Sequence, residues 1–93
     1  MRREIEFKKH FDKRGTSIYI PKRVLEQMSL PTERNAIRDA EVYLYVTLFD
    51  KDGENLGTRL RRLLPKKSIY WPTDGEPIYP SHMPVRVHLR RAV

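Results

Sequence analysis

One stretch of the chain decides its fold: Lys13-Arg-Gly-Thr-Ser-Ile-Tyr-Ile-Pro-Lys-Arg-Val-Leu-Glu-Gln-Met-Ser-Leu30. Residues 16–20 alternate between the two faces of an extended chain and are rich in β-branched side chains, which is typical of a strand. Pro21 suits the first position of a helix, because its missing N–H needs no partner there. The apolar residues that follow at helical spacing are Val24, Leu25 and Met28. The stretch therefore predicts a strand that leads directly into a short amphipathic helix.

The residues on either side of this stretch extend the pattern. Residues 4–11 also alternate, so we predict an earlier strand there. Asp12-Lys13-Arg14-Gly15 is typical of a turn in which glycine takes a positive φ. We therefore expect the two strands to pair as a β-hairpin. After the helix, Thr32–Arg38 is predicted to be either a loop or a short helical turn capped by Thr32.

The second half of the chain begins with its clearest strand, Glu41–Phe49, whose two faces are both largely apolar or aromatic. Such a strand lies at the centre of a sheet or is covered on both faces. A turn is predicted at Asp50–Gly53. Thr58–Leu64 fits both a short helix and a strand, and we favour the helix.

The last third of the chain is predicted to contain two strands separated by an irregular loop. Ser68–Trp71 is predicted to form a short strand, and residues 72–84, with four prolines and Gly75, an irregular and rather stiff loop. The final strand, residues 85–90, has one apolar face and one cationic face.

The fold class predicted from these elements is a small, strand-rich α+β domain. A length of 93 residues fits one domain with a modest core, and dimerisation would enlarge that core. We divide the chain into a hairpin region, residues 1–49, and a basic C-terminal β extension, residues 50–93, packed on the same domain.

The charge of the chain points to a polyanionic partner. The formal net charge is +7 and the isoelectric point is about 10. Residues 1–23 carry eight basic and three acidic side chains, residues 24–57 three and seven, and residues 58–93 eight and two. Two basic ends thus flank an acidic middle, which is typical of a binding face rather than of uniform solubilisation.

The candidate nucleic-acid-binding residues are basic and grouped along the sequence: Lys8, Lys13, Arg14, Lys22, Arg23, Arg59, Arg61, Arg62, Lys66, Lys67, Arg86, Arg90 and Arg91. Lys22 and Arg23 lie near a predicted helix N-terminus, where backbone N–H groups also favour a phosphate. Three aromatic residues share one face of the strand 41–49: Tyr43, Tyr45 and Phe49. They either stack bases or belong to the core or a dimer interface, and we favour the latter.

Catalytic and metal-binding patterns are absent from the sequence. With no cysteine, the chain has no disulfide and no cysteine-based metal site. The three histidines, His10, His82 and His88, lie in no metal-binding spacing, and the four glycines form no phosphate-binding loop. We therefore expect neither an enzyme nor a bound cofactor or metal. Because no secretory signal and no apolar stretch of membrane-spanning length is found, we expect a cytoplasmic protein that does not enter membranes.

Residues 4–49 resemble the AbrB-like swapped-hairpin family, which includes bacterial transition-state regulators and antitoxins of the MazE and VapB kinds. The residues that match its motif are Gly15, Ser17, Ile18, Ile20, Pro21, Lys22, Val24, Met28 and Leu30. Asp39-Ala-Glu-Val42 is similar to the acidic entry into the family's third strand. The segment 31–38 is longer than its family counterpart and lacks its glycine, and residues 50–93 have no counterpart.

The resemblance implies an intertwined homodimer whose paired hairpins form a β-barrel and a DNA-binding face. By residue-to-residue matching, the family's DNA contacts would fall on Lys8, Lys13, Arg14, Lys22 and Arg23. The leading hypothesis is thus a dimeric DNA-binding transcription regulator. The alternative is a basic structural protein associated with RNA or the ribosome, which the basic C-terminal half favours.

Overall fold

The structure, a computed structural model, describes residues 2–92 and consists mainly of strands. Its elements in chain order are β1 (Glu4–His10), β2 (Ser17–Tyr19), α1 (Lys22–Gln27), α2 (Arg34–Ala40), β3 (Tyr43–Phe49), β4 (Asn55–Arg62), β5 (Ser68–Tyr70) and β6 (Pro84–Arg91). The prediction of a strand-rich α+β domain is therefore confirmed. Among residues 2–92, no helix is long and apolar enough to cross a membrane.

Four strands form an antiparallel sheet in the order β1-β6-β3-β4. β3 lies between β6 and β4, which confirms its predicted central position. Leu44, Val46 and Leu48 of β3 are fully buried against the helices and loops, whereas Tyr43, on the opposite face, is exposed. The sheet is therefore covered on one face only, and we call the uncovered side the open sheet face.

The other two strands, β2 and β5, pair into a short antiparallel ribbon. Ile18 lies opposite Ile69, and both side chains are fully buried. Directly opposed residues of an antiparallel pair share a face, so the alternate positions point outward. The alternate residues are Ser17, Tyr19, Ser68 and Tyr70. Ser68 is buried, whereas Tyr19 and Tyr70 are exposed and Ser17 is half-buried, and we call these last three the ribbon face. The ribbon and the sheet both direct aliphatic residues into the one core, so the ribbon face and the open sheet face both point away from it.

The predicted hairpin between β1 and β2 is wrong. β1 pairs with β6 along its whole length, from Glu4 opposite Arg90 to His10 opposite Pro84, and β2 pairs with β5. The predicted turn does form, since the Gly15 N–H donates to the Asp12 carbonyl at 3.0 Å. The turn carries the chain off the sheet and into the ribbon. Strands from residues 1–49 are therefore hydrogen-bonded to strands from residues 50–93 in both sheets.

The prediction of a helix at Thr58–Leu64 is also wrong, because β4 extends through Arg62. The turn at Asp50–Gly53, where the Gly53 N–H donates to the Asp50 carbonyl, folds β4 back onto β3. Pairing along seven positions of β3 outweighs the helical spacing of a few leucines, since so short a helix is costly to nucleate.

For the segment 32–38 the sequence allowed either a loop or a short helical turn, and residues 34–38 belong to the helix α2. Its N-cap is Glu33 in an extended conformation, and no side chain caps the helix, so Thr32 does not serve as the predicted cap. Residues 71–83 form the irregular loop expected from their prolines. The Tyr79 N–H donates to the Gly15 carbonyl at 3.1 Å, and the Tyr79 ring stacks on Phe11 with centroids 4.8 Å apart.

Candidate nucleic-acid interface

The structure separates the predicted basic residues by what their side chains contact. Arg59 and Arg61 lie on the inner side of β4 rather than on its exposed side, since they pair with the buried Val46 and Leu44 of β3. There they face the loop 71–83. Among the thirteen candidates, these two are the ones most engaged within the domain.

Arg59 anchors this loop. Its guanidinium donates to both carboxylate oxygens of Glu76, at 2.7 and 2.5 Å, and to the carbonyl of Trp71 at 2.8 Å. It also lies 4.5 Å above the centre of the Trp71 ring, in cation–π geometry. A two-pronged arginine–carboxylate pair of this kind is among the strongest polar contacts in proteins. Arg59 is therefore a structural residue.

Arg61 reinforces the same anchor. It donates to the Trp71 carbonyl at 2.8 Å and to the Thr73 hydroxyl at 3.3 Å. Burial and the neighbouring charge of Arg59 lower the pKa of Arg61 from its usual value. The hydrogen bonds from Arg59 and from the Thr73 N–H lower the pKa of Glu76. Arg59, Arg61 and Glu76 thus form a clamp on the loop 71–83, which we call the loop clamp.

One cluster of exposed basic side chains lies beside the ribbon face, in a groove that we call the ribbon groove. Tyr19 and Tyr70 are 45% and 51% exposed and line this groove of about 480 Å³. Three basic side chains line the same groove, each of them exposed: Arg14, Arg34 and Lys66. The structure therefore brings Arg14 and Lys66 together from opposite halves of the chain.

Asp12 is the acidic residue of this groove, and its role is internal. Its carboxylate accepts the backbone N–H groups of Thr16 and Ser17, at 3.1 and 3.2 Å. Burial raises the pKa of Asp12, but the hydrogen bonds from Thr16, Ser17 and Gly15 outweigh it, so the pKa is lowered overall. Asp12 therefore fixes the turn that presents Arg14.

Further predicted cations flank the ribbon in sequence. Lys13 precedes β2, and Lys22 and Arg23 follow it, all three on the surface. Because α1 has only six residues, its backbone dipole adds little, and Lys22 and Arg23 act through their own charges. Lys67 is half-buried, and its carbonyl accepts the Ile20 N–H at 2.6 Å.

The open sheet face carries the second cluster. Arg86 of β6 lies opposite Phe49 of β3, and Arg90 lies opposite Tyr45. The two guanidinium groups stand 4.5 and 4.6 Å above the centres of those rings. On the other side of β6, Lys8 of β1 lies opposite Arg86 and is exposed.

Two carboxylates of β1 moderate this charge. Glu4 contacts His88 at 2.8 Å, and Glu6 lies 3.7 Å from Arg86. Both are exposed, and exposed pairs of this kind contribute little to stability. Since Lys8 and Arg90 take part in neither contact, cationic charge remains available on the face.

The remaining two candidates hold backbone carbonyls. Arg62 donates to the Arg38 carbonyl at 3.2 Å and lies 4.0 Å from the carboxylate of Glu41. Arg91, half-buried, donates to the Met28 carbonyl at 3.3 Å. Arg62, opposite Tyr43, does so on the open sheet face, whereas Arg91, opposite the buried Leu44, does so on the inner side of the sheet.

The prediction from sequence missed Arg34, Tyr19 and Tyr70. The alternation in residues 16–20 places Tyr19 opposite in parity to Ile18 and is the signal that marks it as outward-facing. For Arg34 the sequence carried no such signal, because its segment was open between loop and helix. Among residues 2–92, no cluster of histidine and acidic residues is placed to hold a metal ion.

The chain was compared with protein-family models, curated proteins and solved structures, and none of them matches it.

Proposed function

We propose that this protein binds nucleic acid and that the ribbon face holds the phosphate backbone. The observation that carries the proposal is the groove in which Arg14, Arg34 and Lys66 surround Tyr19 and Tyr70. Cations that are exposed rather than clamped are free to exchange counterions for phosphates, which is the main source of nucleic-acid affinity. Thr16 and Ser17, both half-buried, line the same groove, and their hydroxyls supply further donors for phosphate oxygens.

The resemblance to AbrB-like proteins supports a finer proposal, a homodimeric transcription regulator that binds duplex DNA. The residues that carry this resemblance form the Gly15 turn, β2 and α1 in unbroken order. A swapped-hairpin barrel needs the strands of a second copy, so this proposal requires a dimer in solution.

A basic protein associated with RNA or the ribosome is the second candidate. The observation that favours it is the open sheet face, where Arg86 and Arg90 of the C-terminal strand lie over aromatic rings. The AbrB-like resemblance provides no role for this surface, because residues 50–93 lie outside it.

The first prediction concerns the double variant Arg14→Gln/Lys66→Gln, which removes two cations from the ribbon groove. We expect weaker binding to duplex DNA and to single-stranded RNA. For duplex DNA, the slope of log K against log salt should flatten by about 0.9 for each phosphate that the variant no longer neutralises. Fluorescence anisotropy across a salt series measures both the affinity and the slope, and light scattering during gel filtration gives the oligomeric state.

The matched control is Arg38→Gln/Lys51→Gln, which removes two exposed cations that do not line the ribbon groove. It should leave the salt slope nearly unchanged. Equal losses of affinity in both double variants would mean that net charge alone drives binding and would remove the ribbon face from the proposal. A monomer that prefers RNA would favour the second candidate over the AbrB-like regulator.

A further inference from the structure

The open sheet face carries aromatic side chains that the core does not use. Tyr43 is 48% exposed and Leu60, opposite Tyr45, is 48% exposed, while Tyr45 and Phe49 are half-buried. All four lie on the open sheet face, which no other element within residues 2–92 covers. Exposed aromatic and aliphatic side chains that lie together on one face are typical of an interaction surface.

The register of the sheet places a cation beside each of two rings. Arg90 lies over Tyr45 at 4.6 Å, and Arg86 lies over Phe49 at 4.5 Å. The two rings lie on one strand four residues apart, about 13 Å along β3, and Tyr43 extends the row. The face thus presents a row of rings with positive charge along one side.

We propose that the open sheet face binds unpaired nucleotides, whose bases stack on Tyr43, Tyr45 and Phe49. In RNA-binding domains that are built on a four-stranded sheet, exposed rings on the sheet stack two or three bases. A base takes the place of the guanidinium on Tyr45 or Phe49, and the long arginine side chain turns to the adjacent phosphate. This inference rests on the proposed nucleic-acid binding and adds its substrate class, a single strand.

Charge decides against a second copy of this chain as the occupant. A two-fold interface brings the same patch of both copies together. Face-to-face packing would therefore set Lys8, Arg86 and Arg90 against their own equivalents, with only Glu4 and Glu6 to offset them. Like charges brought together in this way oppose association. A polyanion with aromatic bases matches both the charge and the rings.

The test uses two single-stranded oligonucleotides of the same length and charge, one with bases and one with abasic sites throughout. For the wild-type protein we expect affinity for the strand with bases to be at least about tenfold higher, since stacking strengthens binding roughly tenfold or more per base. The variant Tyr45→Leu/Phe49→Leu keeps apolar side chains at both positions but removes both rings. Its preference for the strand with bases should fall most of the way to unity.

The control is Ile78→Ala, which removes an exposed apolar side chain from the loop 71–83, outside both faces, and should leave the preference intact. A control that loses the preference while the sheet variant keeps it would overturn the assignment to this face. A cooperative thermal transition in both variants verifies that they are folded. A 2-aminopurine base in the strand, quenched by stacking on wild-type protein but not on the sheet variant, gives an independent reading.

The outcomes separate this inference from the proposed function. Equal wild-type affinity for the two strands would overturn base stacking and leave backbone binding in place. If the wild-type protein bound neither single strand nor duplex DNA, both base stacking and the proposed nucleic-acid binding would be overturned. A dimer that Tyr45→Leu/Phe49→Leu dissociates, with no base preference in the wild type, would assign the open sheet face to self-association instead.

Discussion

Gly15 stands at the turn between β1 and β2 with a φ of +72°. A Cβ at this position would lie 1.8 Å from the carbonyl oxygen of Tyr79, which is backbone and has little room to move. The Gly15 carbonyl also accepts the Tyr79 N–H, so the turn and the loop 71–83 are held together at this residue. Only glycine satisfies both the angle and the close approach.

We predict that Gly15→Ala lowers the free energy of unfolding by more than about 2 kcal/mol, because left-handed strain and a backbone clash act together. The matched control is Gly53→Ala, which has a similar φ of +82° but nothing within 4 Å of the added Cβ. That change should cost about 1 kcal/mol, from strain alone. Urea unfolding of the two variants checks the order, and equal costs would contradict the close approach at Gly15.

At the scale of elements, the loop clamp makes an irregular segment part of the fold. Residues 71–83 contain no strand or helix, yet Arg59 and Arg61 of β4 hold the carbonyl of Trp71, the hydroxyl of Thr73 and the carboxylate of Glu76. Glu76 also accepts the Thr73 N–H at 2.8 Å, which closes the tip of the loop.

The clamp predicts an acid-sensitive loop. The pKa of Glu76 is lowered from its ordinary value of 4.5, so the folded state binds the proton less readily than the unfolded chain. Its contribution to stability is therefore fully present above pH 4.5 and is lost as the pH falls through the lowered pKa. We expect the wild-type protein to be more stable than Glu76→Gln near neutral pH. We expect this difference in stability to shrink as the pH falls below 4.5.

Urea midpoints measured for both proteins from about pH 7 to about pH 3 test this prediction. The control is Asp74→Asn, an exposed carboxylate of the same loop that lies outside the clamp. A stability difference between wild type and Glu76→Gln that stays constant across this range would contradict the role assigned to the carboxylate.

Local patterns predicted most elements, because alternation and turn residues act over a few neighbours. Residues 4–11, 41–49 and 85–90 alternate, apart from a break at Lys9, and each segment contains a strand. The pairing of these strands was not predictable in the same way. A pattern defines which face of β1 is apolar, but not that β6, at the far end of the chain, offers a longer partner than β2. The apolar residues of Thr58–Leu64 fitted both a helical and a strand periodicity, and pairing with β3 in a hairpin makes this segment a strand.

The candidate site was predictable to a similar extent, since the sequence indicates which residues are basic but not what their side chains contact. The excess of basic residues identified the class of partner proposed here, and Arg14, Lys66, Arg86 and Arg90 are indeed exposed. Arg59 showed the limit of this reasoning, since its partner Glu76 lies 17 residues away in a loop without periodicity. Charge counted along a sequence does not separate a surface cation from one that is held internally by a distant carboxylate.

At the scale of the whole molecule, the two halves of the chain share one core. β6 lies between β1 and β3, so residues 1–49 alone have no strand to join their two longest ones. The core likewise draws Ile18 from one half and Ile69 and Trp71 from the other. This arrangement makes each half dependent on the other for burial of its apolar face.

We therefore predict that a fragment of residues 1–49 is unfolded in isolation, since two strands without their common neighbour bury too little surface. Circular dichroism and a thermal scan check this, with the full chain as the control. A fragment that unfolds cooperatively as a dimer would contradict the dependence on β6 and would support the swapped-hairpin proposal instead.

The burial of Trp71 gives the protein separate optical reporters of folding and of binding. It is the only tryptophan in the chain, fully buried beneath Arg59. Four of the five tyrosines, in contrast, lie on the two outer faces: Tyr19, Tyr43, Tyr45 and Tyr70. When tryptophan alone is excited, its emission should therefore shift to longer wavelength on unfolding and stay constant when a ligand binds. Tyrosine emission should respond to the ligand, so one cuvette can distinguish a variant that has lost its fold from one that has lost only its partner.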